Sequence, residues 1–446
     1  MEVEIISKDC IKPSSPTPLH LKNHKFSFLD VHSGYGYIPL VLYYPVNQET
    51  NLSPSDIDHV ISVRLQILKQ SLSETLSRFY PFAGKIKDSY SVDCNDEGVY
   101  FVEAKVNCFL NEFLSNPDIS FINKFIPDEA KWNSAQENYV AGVQATTFAC
   151  GGIVVGVYVS HSVADGAAFS TFLRSWSAIA YKNTEEIRPK FDASSFFPHN
   201  DAYPREEYLA HQYNYFMKLG KYITRRYVFD ASATANLKAK ATSSRLPNPT
   251  RVELVTALFG KCITRAVKAR SGSDKSVSMT HAVNLRRKAK PQFSEYYMGN
   301  FILLAPVVCK DKEVELGDFV CQMKESVAKL NGDFVSSLQG DGGWINYLEA
   351  IKHESEIFSD PENLLFFTSW CNFGLNDVDF GWGKPAWVSN IDQAESNFLL
   401  GSICLMDTRE RDGIEAWAFL VEEDVVTLES DTDFIALAAV NPSPLK

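Results

Sequence analysis

The residues best suited to chemistry are the six at positions 161–166, which read His-Ser-Val-Ala-Asp-Gly. A neutral imidazole accepts a proton near neutral pH, so His161 is a candidate general base. Asp165 precedes Gly166, which lets the backbone bend, and we expect Asp165 to hold the turn in shape through an ion pair. The alternative is an ordinary histidine in a turn, with Asp165 capping the next helix.

The elements on either side of this turn can be predicted from hydrophobic periodicity. The stretch Ile153–Ser160 is rich in Val and Ile, which is typical of a buried strand. After the turn the apolar residues fall at the spacing of one helical face, at Phe169, Phe172, Leu173, Trp176 and Ile179. His161 is therefore predicted at a strand-to-helix turn, where its ring is held rigidly and faces a cavity.

A second unusual string, Asp-Phe-Gly-Trp-Gly, occupies residues 379–383 and is followed by Lys and Pro. Gly381 and Gly383 bracket Trp382, which indicates a constrained turn that carries a large ring. The simplest interpretation is a packed loop in which Asp379 and Trp382 are structural. A carboxylate inside such a turn would need a cationic partner.

Motifs for several other chemistries are missing from the sequence. It contains no GxSxG string of a serine hydrolase and no GxxxxGK[ST] phosphate loop. It also lacks the GxGxxG string of dinucleotide-binding proteins. The other histidines are not spaced as metal ligands with cysteines or carboxylates, so we predict no metal site.

Composition narrows the range of ligands. The chain has 446 residues and a formal net charge of -12, which disfavours nucleic acid as a partner. Aromatic residues make up 13%, which suits either large cores or pockets for ring-containing ligands. A basic cluster at Arg286, Arg287, Lys288 and Lys290 is either a solvated face or a local phosphate-binding patch.

Cysteine usage and the chain start bear on location. Nine cysteines are scattered singly with no CxxC pair, as expected for free thiols in a reducing compartment. The first residues have no basic start followed by an apolar core, and no apolar run is long enough to span a bilayer. We therefore predict a cytoplasmic protein that does not associate with membranes.

The pattern of elements suggests two halves. Strand-like runs alternate with amphipathic helices, except over residues 182–225, where Pro, Asn, Asp and Ser interrupt the periodicity. A structureless loop of that length inside one domain is uncommon, so it is interpreted as a crossover between domains. The predicted boundaries are 1–185 for the first domain, 186–225 for the crossover and 226–446 for the second domain.

The two strings together carry a family resemblance. The chain resembles the plant BAHD acyltransferases, which transfer acyl groups from acyl-CoA to specialised metabolites. Supporting strings run along the chain: Ile-Lys-Pro-Ser-Ser-Pro-Thr-Pro at 11–18, Leu-Ser-Arg-Phe-Tyr-Pro-Phe-Ala-Gly-Lys at 76–85, Phe-Ala-Cys-Gly-Gly at 148–152, Thr-Arg-Val-Glu at 250–253 and Ala-Val-Asn-Leu-Arg at 282–286. Within the family it is most similar to the branch that holds vinorine synthase, salutaridinol acetyltransferase and deacetylvindoline acetyltransferase.

The resemblance implies an α/β (α+β) fold of two chloramphenicol-acetyltransferase-like domains, each a mixed sheet flanked by helices. A segment near 370–396 is expected to complete the first domain. A solvent channel between the domains would reach His161 from both sides. The resemblance also implies that Asp165 pairs with Arg286, and it places candidate cofactor contacts at Arg286, Ser369 and Trp370.

Two differences from related sequence patterns narrow the choice of relatives and of acyl donor. Ser160 precedes His161 where chloramphenicol acetyltransferases and condensation domains have a second histidine, so those relatives fit less well. The malonyl-using branch of the family carries Tyr-Phe-Gly-Asn-Cys, whereas residues 297–301 read Tyr-Met-Gly-Asn-Phe. Acetyl-CoA is thus the expected co-substrate, with no permanently bound cofactor.

The predicted function is O-acylation of a small hydroxylated plant metabolite, favoured to be an alkaloid, by a monomeric enzyme. His161 would take the hydroxyl proton as the oxygen attacks the thioester. Two alternatives stay open: an amine or a simple aliphatic or benzyl alcohol as acceptor, and a non-catalytic binder of small molecules on the same fold. Release of free CoA thiol distinguishes the enzyme from the binder.

Overall fold

The computed structural model describes residues 1–33, 36–46, 53–128, 139–182, 187–202, 204, 206, 221–271, 277–309, 315–357, 363–393 and 401–445. These residues form a mixed α/β fold with two large sheets and a small third one. The strands are, in chain order, β1 (Glu4–Ile11), β2 (Asn23–Lys25), β3 (Tyr37–Tyr44), β4 (Lys85–Asp88), β5 (Ser91–Asp93), β6 (Val99–Val106), β7 (Ala141–Phe148), β8 (Ile153–Ser160), β9 (Tyr222–Phe229), β10 (Val277–Asn284), β11 (Ile302–Cys309), β12 (Leu364–Ser369), β13 (Trp387–Ser389), β14 (Gly401–Asp407), β15 (Ile414–Val421) and β16 (Ala439–Val440).

Helices cover the faces of the two large sheets. In chain order they are α1 (Phe28–His32), α2 (Pro54–Leu76), α3 (Leu110–Ser115), α4 (Gly166–Ala180), α5 (Ala193–Phe196), α6 (Ala231–Ala241), α7 (Arg251–Ser271), α8 (Leu316–Lys329), α9 (Gly332–Ser337), α10 (Gly343–Ile357), α11 (Glu422–Ser430) and α12 (Thr432–Ile435).

The first large sheet has the strand order β1-β6-β7-β8-β3-β13. Strands β6 and β7 run parallel, and the other neighbours are antiparallel. Every residue of β7 and β8 is buried, which is why the sequence of β8 is a continuous apolar run and not an alternating one. Strand β8 delivers the chain to His161 at the end of the sheet.

Helices α2 and α4 pack against each other beside this sheet. On α4 the Trp176 indole Nε1 donates a hydrogen bond to Ser71 Oγ on α2 at 2.9 Å. Helix α2 begins at Pro54, where Ser53 and Asp56 form a reciprocal capping box. The cap and Pro54 in the first turn fix the start of the helix.

The second large sheet has the order β11-β10-β12-β14-β15-β9-β16, with β10, β12 and β14 parallel. Leu237 on α6, Phe259 on α7 and Phe319 on α8 share a buried core with this sheet. Strand β9 begins at Tyr222, four residues before the predicted start of the second domain at residue 226. Residues 222–225 pair with β15, and their polar Thr and Arg masked the strand pattern.

One strand connects the two halves of the chain. Strand β13 lies late in the sequence, yet it pairs antiparallel with β3 of the first sheet, with Trp387 opposite Tyr43. The Tyr44 hydroxyl also donates to the Val378 carbonyl at 2.8 Å. Residues from the later half of the chain therefore form the edge of the first sheet. Part of the predicted crossover (186, 203, 205 and 207–220) lies outside the described residues.

Candidate active site

His161 lies in the turn between β8 and α4. Its backbone N–H donates to the Gly36 carbonyl at 2.8 Å, which ties the turn to the residue preceding β3. The residue as a whole is half-buried, so part of its surface stays in contact with solvent.

The Asp165 carboxylate is fully occupied by protein donors. Its Oδ1 accepts the Ala168 N–H at 2.8 Å and caps α4, while Oδ2 accepts the Phe301 N–H at 3.0 Å. Oδ2 also accepts from Arg286 Nη1 at 2.7 Å, and the Asp165 and Arg286 side chains are 2% and 1% exposed. Both sequence interpretations of Asp165 therefore hold, because one carboxylate is helix cap and ion-pair partner at once.

Arg286 has no donor left for a cofactor. The Nε and Nη2 groups donate to the Tyr297 carbonyl at 3.1 and 2.9 Å, and Nη2 also reaches the Gly299 carbonyl at 3.0 Å. Nη1 adds a contact to Asn284 Oδ1 at 3.3 Å. The sequence offered Arg286 as a cofactor contact, and this geometry corrects that assignment: the guanidinium is buried and bound to the protein.

Asn300 is the residue of the site that the sequence analysis missed. Its Oδ1 lies 3.1 Å from His161 Nδ1, and its Nδ2 donates to the His161 carbonyl at 2.7 Å and to Asp30 Oδ1 at 3.0 Å. Asn300 is 1% exposed. The only signal in the sequence was the Tyr-Met-Gly-Asn-Phe string, which was used solely to compare acyl donors.

These contacts define the protonation of the His161 ring. The amide oxygen of Asn300 is an acceptor, so Nδ1 carries the hydrogen and Nε2 keeps its lone pair. Burial lowers the pKa of His161 below its usual 6.5, against smaller raising contributions from a hydrogen bond to its own backbone, from Asp165 and from Asn300. At neutral pH the ring is thus a neutral base with Nε2 available.

The candidate cofactor contacts Ser369 and Trp370 come from the end of β12. The Trp370 backbone N–H donates to the Leu405 carbonyl at 2.8 Å, and the indole packs on the first residue of α4. A Cβ added at Gly166 would lie 3.0 Å from Trp370 Nε1 and 3.2 Å from a ring carbon of Phe373. The structure thus brings Trp370 next to the turn that carries His161, with Ser369 adjacent to it in the chain.

The Asp-Phe-Gly-Trp-Gly string is a tight turn packed on the first sheet. Asp379 Oδ1 accepts the N–H groups of Gly381 and Gly383 at 2.8 and 2.9 Å. The expected cationic partner is replaced by these two backbone donors. Both glycines have positive φ, 104° and 105°. Trp382 contacts the ring of Tyr44, with 6.1 Å between centroids.

Two further features bear on the class of protein. In the described ranges, no group of three or more His, Cys, Asp and Glu side chains is arranged to hold a metal ion. Across the same ranges, no helix has both the length and the apolar character needed to cross a membrane.

Comparison with known proteins gives full-length matches. A family model described as the Transferase family matches residues 1–435. Epi-neemfruitin B 7-O-acetyltransferase of Melia azedarach is 51% identical over 451 residues, covering 100% of both chains. Limonoid 7-O-acetyltransferase of Citrus sinensis is 51% identical over 458 residues with the same coverage. Stemmadenine O-acetyltransferase of Catharanthus roseus is 36% identical over 437 residues, covering 96% of this chain and 97% of that one.

Solved structures share the fold. The crystal structure of vinorine synthase covers 100% of both chains with a TM-score of 0.82 and 32% identity. A Fusarium protein, F. sporotrichioides TRI101, crystallised with coenzyme A and T-2, has a TM-score of 0.72 over 94% of this chain and 99% of that chain. At 16% identity, the second match supports the fold alone.

Proposed function

The chain belongs to the Transferase family, the acyl-CoA-dependent BAHD acyltransferases, and from this premise we propose that it acetylates a hydroxyl group with His161 as general base. The observation that supports this most directly is the half-buried residue His161, whose Nδ1–H donates to Asn300 Oδ1 and whose Nε2 has no partner among the described residues. The acceptor is a small alcohol and the acyl donor is acetyl-CoA.

In this mechanism both substrates are bound together, so no acyl-enzyme forms. As the acceptor oxygen attacks the thioester carbonyl, His161 Nε2 takes the hydroxyl proton, and an oxyanion develops on the former carbonyl. When that intermediate collapses, the C–S bond breaks and the ester C–O bond remains. The imidazolium returns its proton to the departing CoA sulfur, which leaves His161 neutral for the next cycle.

Each polar neighbour has a separate role in this proposal. Asp165 and Arg286 hold the turn and the start of α4 and do not contact the reacting atoms, because their polar atoms are bound to each other and to the backbone. Ser369 and Trp370 form part of the acetyl-CoA side, as supported by the packing of Trp370 on Gly166. The two-sided solvent channel stays a prediction.

The acceptor that the comparisons favour is a limonoid alcohol. Two relatives named for limonoid or neemfruitin 7-O-acetylation are 51% identical over their whole length, whereas the stemmadenine enzyme is 36% identical. The sequence alone favoured an alkaloid, which becomes the second candidate. The proposed reaction is therefore transfer of acetyl to a limonoid hydroxyl, with the 7-position first to be tested.

We also propose a cytosolic, monomeric enzyme. All eight cysteines whose side chains the structure describes are free thiols, as expected for a reducing compartment. A single species near 50.1 kDa by light scattering supports the monomer, and a species of twice that mass overturns it.

The proposal is tested with purified protein, acetyl-CoA and a panel of acceptors. The panel contains limonoids with free 7- or 21-hydroxyls, an indole alkaloid alcohol, benzyl alcohol and an amine, with malonyl-CoA as the alternative donor. We expect free thiol and an acetylated 7-O product. Absence of thiol release with every pair would support the binder alternative instead.

The His161→Ala variant should lose about 10²–10⁴-fold in kcat, the usual worth of a general base, while remaining folded. The exposed His59 on α2 provides the matched control, and His59→Ala should leave kcat unchanged. In the wild type, kcat/KM should stay flat down to a pH below 6.5 and then fall, because a base with a lowered pKa is protonated only in more acidic solution. A folded His161→Ala variant with most of its rate contradicts the assignment.

A further inference from the structure

We propose that Asp30 is a positioning residue which, through Asn300, fixes the tautomer of the His161 ring. This inference rests on the proposed function, since it concerns the same base. Asp30 lies on the short helix α1, far from the His-Ser-Val-Ala-Asp-Gly turn in sequence, and its side chain is 2% exposed. It has no contact with the ring itself, so any effect on catalysis must pass through another side chain.

The two oxygens of the Asp30 carboxylate accept hydrogen bonds from different residues. Its Oδ2 accepts the Ser27 N–H at 2.9 Å and the Ser27 hydroxyl at 2.7 Å, which completes the capping box of α1. Its Oδ1 accepts the Asn300 backbone N–H at 2.6 Å and the Asn300 side-chain Nδ2 at 3.0 Å. One oxygen therefore caps the helix, and the other holds Asn300.

Both hydrogens of the Asn300 amide are consumed by acceptors. One goes to Asp30 Oδ1 and the other to the His161 carbonyl at 2.7 Å. The amide oxygen must then face His161 Nδ1, 3.1 Å away. Because an oxygen can only accept, this orientation requires hydrogen on Nδ1 and leaves the lone pair on Nε2.

Turning the Asn300 amide over would place its oxygen against two acceptors, the Asp30 carboxylate and the His161 carbonyl. Its NH₂ group would then face Nδ1 and favour the tautomer with hydrogen on Nε2, which cannot act as the base. A carboxylate opposes this flip more strongly than a neutral acceptor because hydrogen bonds to a charged group are stronger. The charge of Asp30 thus maintains the reactive tautomer.

The backbone is shaped for this contact. Gly299 has a φ of 106°, and a Cβ there would lie 3.0 Å from Asp30 Oδ1. Glycine therefore allows the chain just before β11 to approach the carboxylate on α1. The network links the two halves of the chain, because α1 lies in the first half and β11, which follows Asn300, is a strand of the second large sheet.

The environment of Asp30 differs from that of Asp165. Asp165 faces Arg286, whereas every hydrogen-bond partner recorded for Asp30 in the described chain is an N–H or O–H group of Ser27 or Asn300. Burial raises the pKa of Asp30 to about 6, against the lowering effect of these hydrogen bonds. Since the described residues place no ion-pair partner beside Asp30, its carboxylate acts on its surroundings mainly through the hydrogen bonds it accepts.

The first test is kinetic and uses Asp30→Asn. An asparagine has one acceptor oxygen and cannot serve both Ser27 and Asn300. We expect kcat to fall at least about 10-fold, part of the 10²–10⁴-fold worth of the base, while KM for acetyl-CoA changes less than about 2-fold. Asp56→Asn, in the exposed capping box of α2, is the matched control and should keep kcat.

The second test reads the tautomer directly. In protein labelled with ¹⁵N-histidine, the His161 resonances are assigned by their loss in His161→Gln. We expect the wild type to show hydrogen on Nδ1, and Asp30→Asn to show a mixture or hydrogen on Nε2. Asp56→Asn should match the wild type. An unchanged tautomer in a folded Asp30→Asn variant overturns the proposal, whatever the acceptor of the enzyme is.

The third test asks whether the effect passes through Asn300. In the Asn300→Ala background, Asp30→Asn should lower kcat by less than about 2-fold further, because residues acting as one unit are non-additive. Independent, multiplying losses overturn the relay. If no acyl transfer is found even in the wild type, the proposed function fails, but the NMR comparison still decides the role of Asp30.

Discussion

At the scale of the residue, one turn holds two ionisable groups with opposite duties. Among the described residues, His161 Nε2 has no hydrogen-bond partner, while the Asp165 carboxylate accepts hydrogen bonds from Ala168, Arg286 and Phe301. Removing one partner of a buried ion pair leaves the other charge uncompensated. We therefore expect the Asp165–Arg286 ion pair to stabilise the turn and to take no part in proton transfer.

This expectation is tested with Asp165→Asn. We predict a loss of about 3–5 kcal/mol in the free energy of unfolding, because Arg286 stays buried without its counter-charge. Urea unfolding measures it. Asp230 is the matched control, since it caps α6 through Ala233 N–H at 2.7 Å with no arginine recorded on it. Asp230→Asn should cost less than about 1 kcal/mol, as asparagine also caps helices well. Equal losses in the two variants would contradict the ion-pair role.

At the scale of the element, the junction of β8 and α4 depends on the close packing of β12 against it. Gly166 is the first residue of α4, and the indole of Trp370 packs against its backbone. Glycine is required there for space and not for its φ, because an added Cβ would meet two aromatic rings. The contact aligns the segment after β12 with the catalytic turn.

Gly166→Ala should therefore displace Trp370. We expect KM for acetyl-CoA to rise several-fold, with stability changed by about 1 kcal/mol in either direction, because helix propensity favours alanine while crowding opposes it. Steady-state kinetics with varied acetyl-CoA measure the effect. Gly342→Ala is the control, since that site has open space around it. An unchanged KM in Gly166→Ala would argue against Trp370 on the co-substrate side.

The elements around His161 show how much of the fold and of the site could be predicted from the sequence. The strand before His161 and the helix after it follow from local periodicity, and both were predicted at their observed positions. Asn300 was missed because its role depends on two contacts with residues 139 and 270 positions away. No local pattern reports such pairings, and the same is true of the donors that occupy Arg286.

At the scale of the whole molecule, one buried carboxylate contacts both large sheets. Glu415 on β15 accepts Arg226 Nη2 at 2.8 Å and the indole N–H groups of Trp387 and Trp417 at 3.0 and 2.9 Å. Trp387 belongs to β13 of the first sheet and stacks on Tyr43, with 4.7 Å between ring centroids. One carboxylate is thus bonded to residues of both sheets.

Glu415→Gln should cost about 3–5 kcal/mol of unfolding free energy, because it leaves Arg226 charged in a buried site. The exposed pair Lys221–Glu422 provides the control, and Glu422→Gln should cost less than about 1 kcal/mol. Chemical denaturation followed by tryptophan fluorescence and by circular dichroism measures both. A Glu415→Gln protein as stable as the Glu422→Gln protein would show that the buried ion pair contributes little to stability.

The pairing of β13 with β3 has a consequence for synthesis of the chain on the ribosome. Residues 37–44 emerge early, but their partner at 387–389 is made more than three hundred residues later. Until then the outer side of β3 displays unpaired backbone groups, which attract foreign strands. Nascent protein is consequently prone to aggregation until residues 387–389 have been made and have left the ribosome, and co-expressed chaperones should raise its soluble yield.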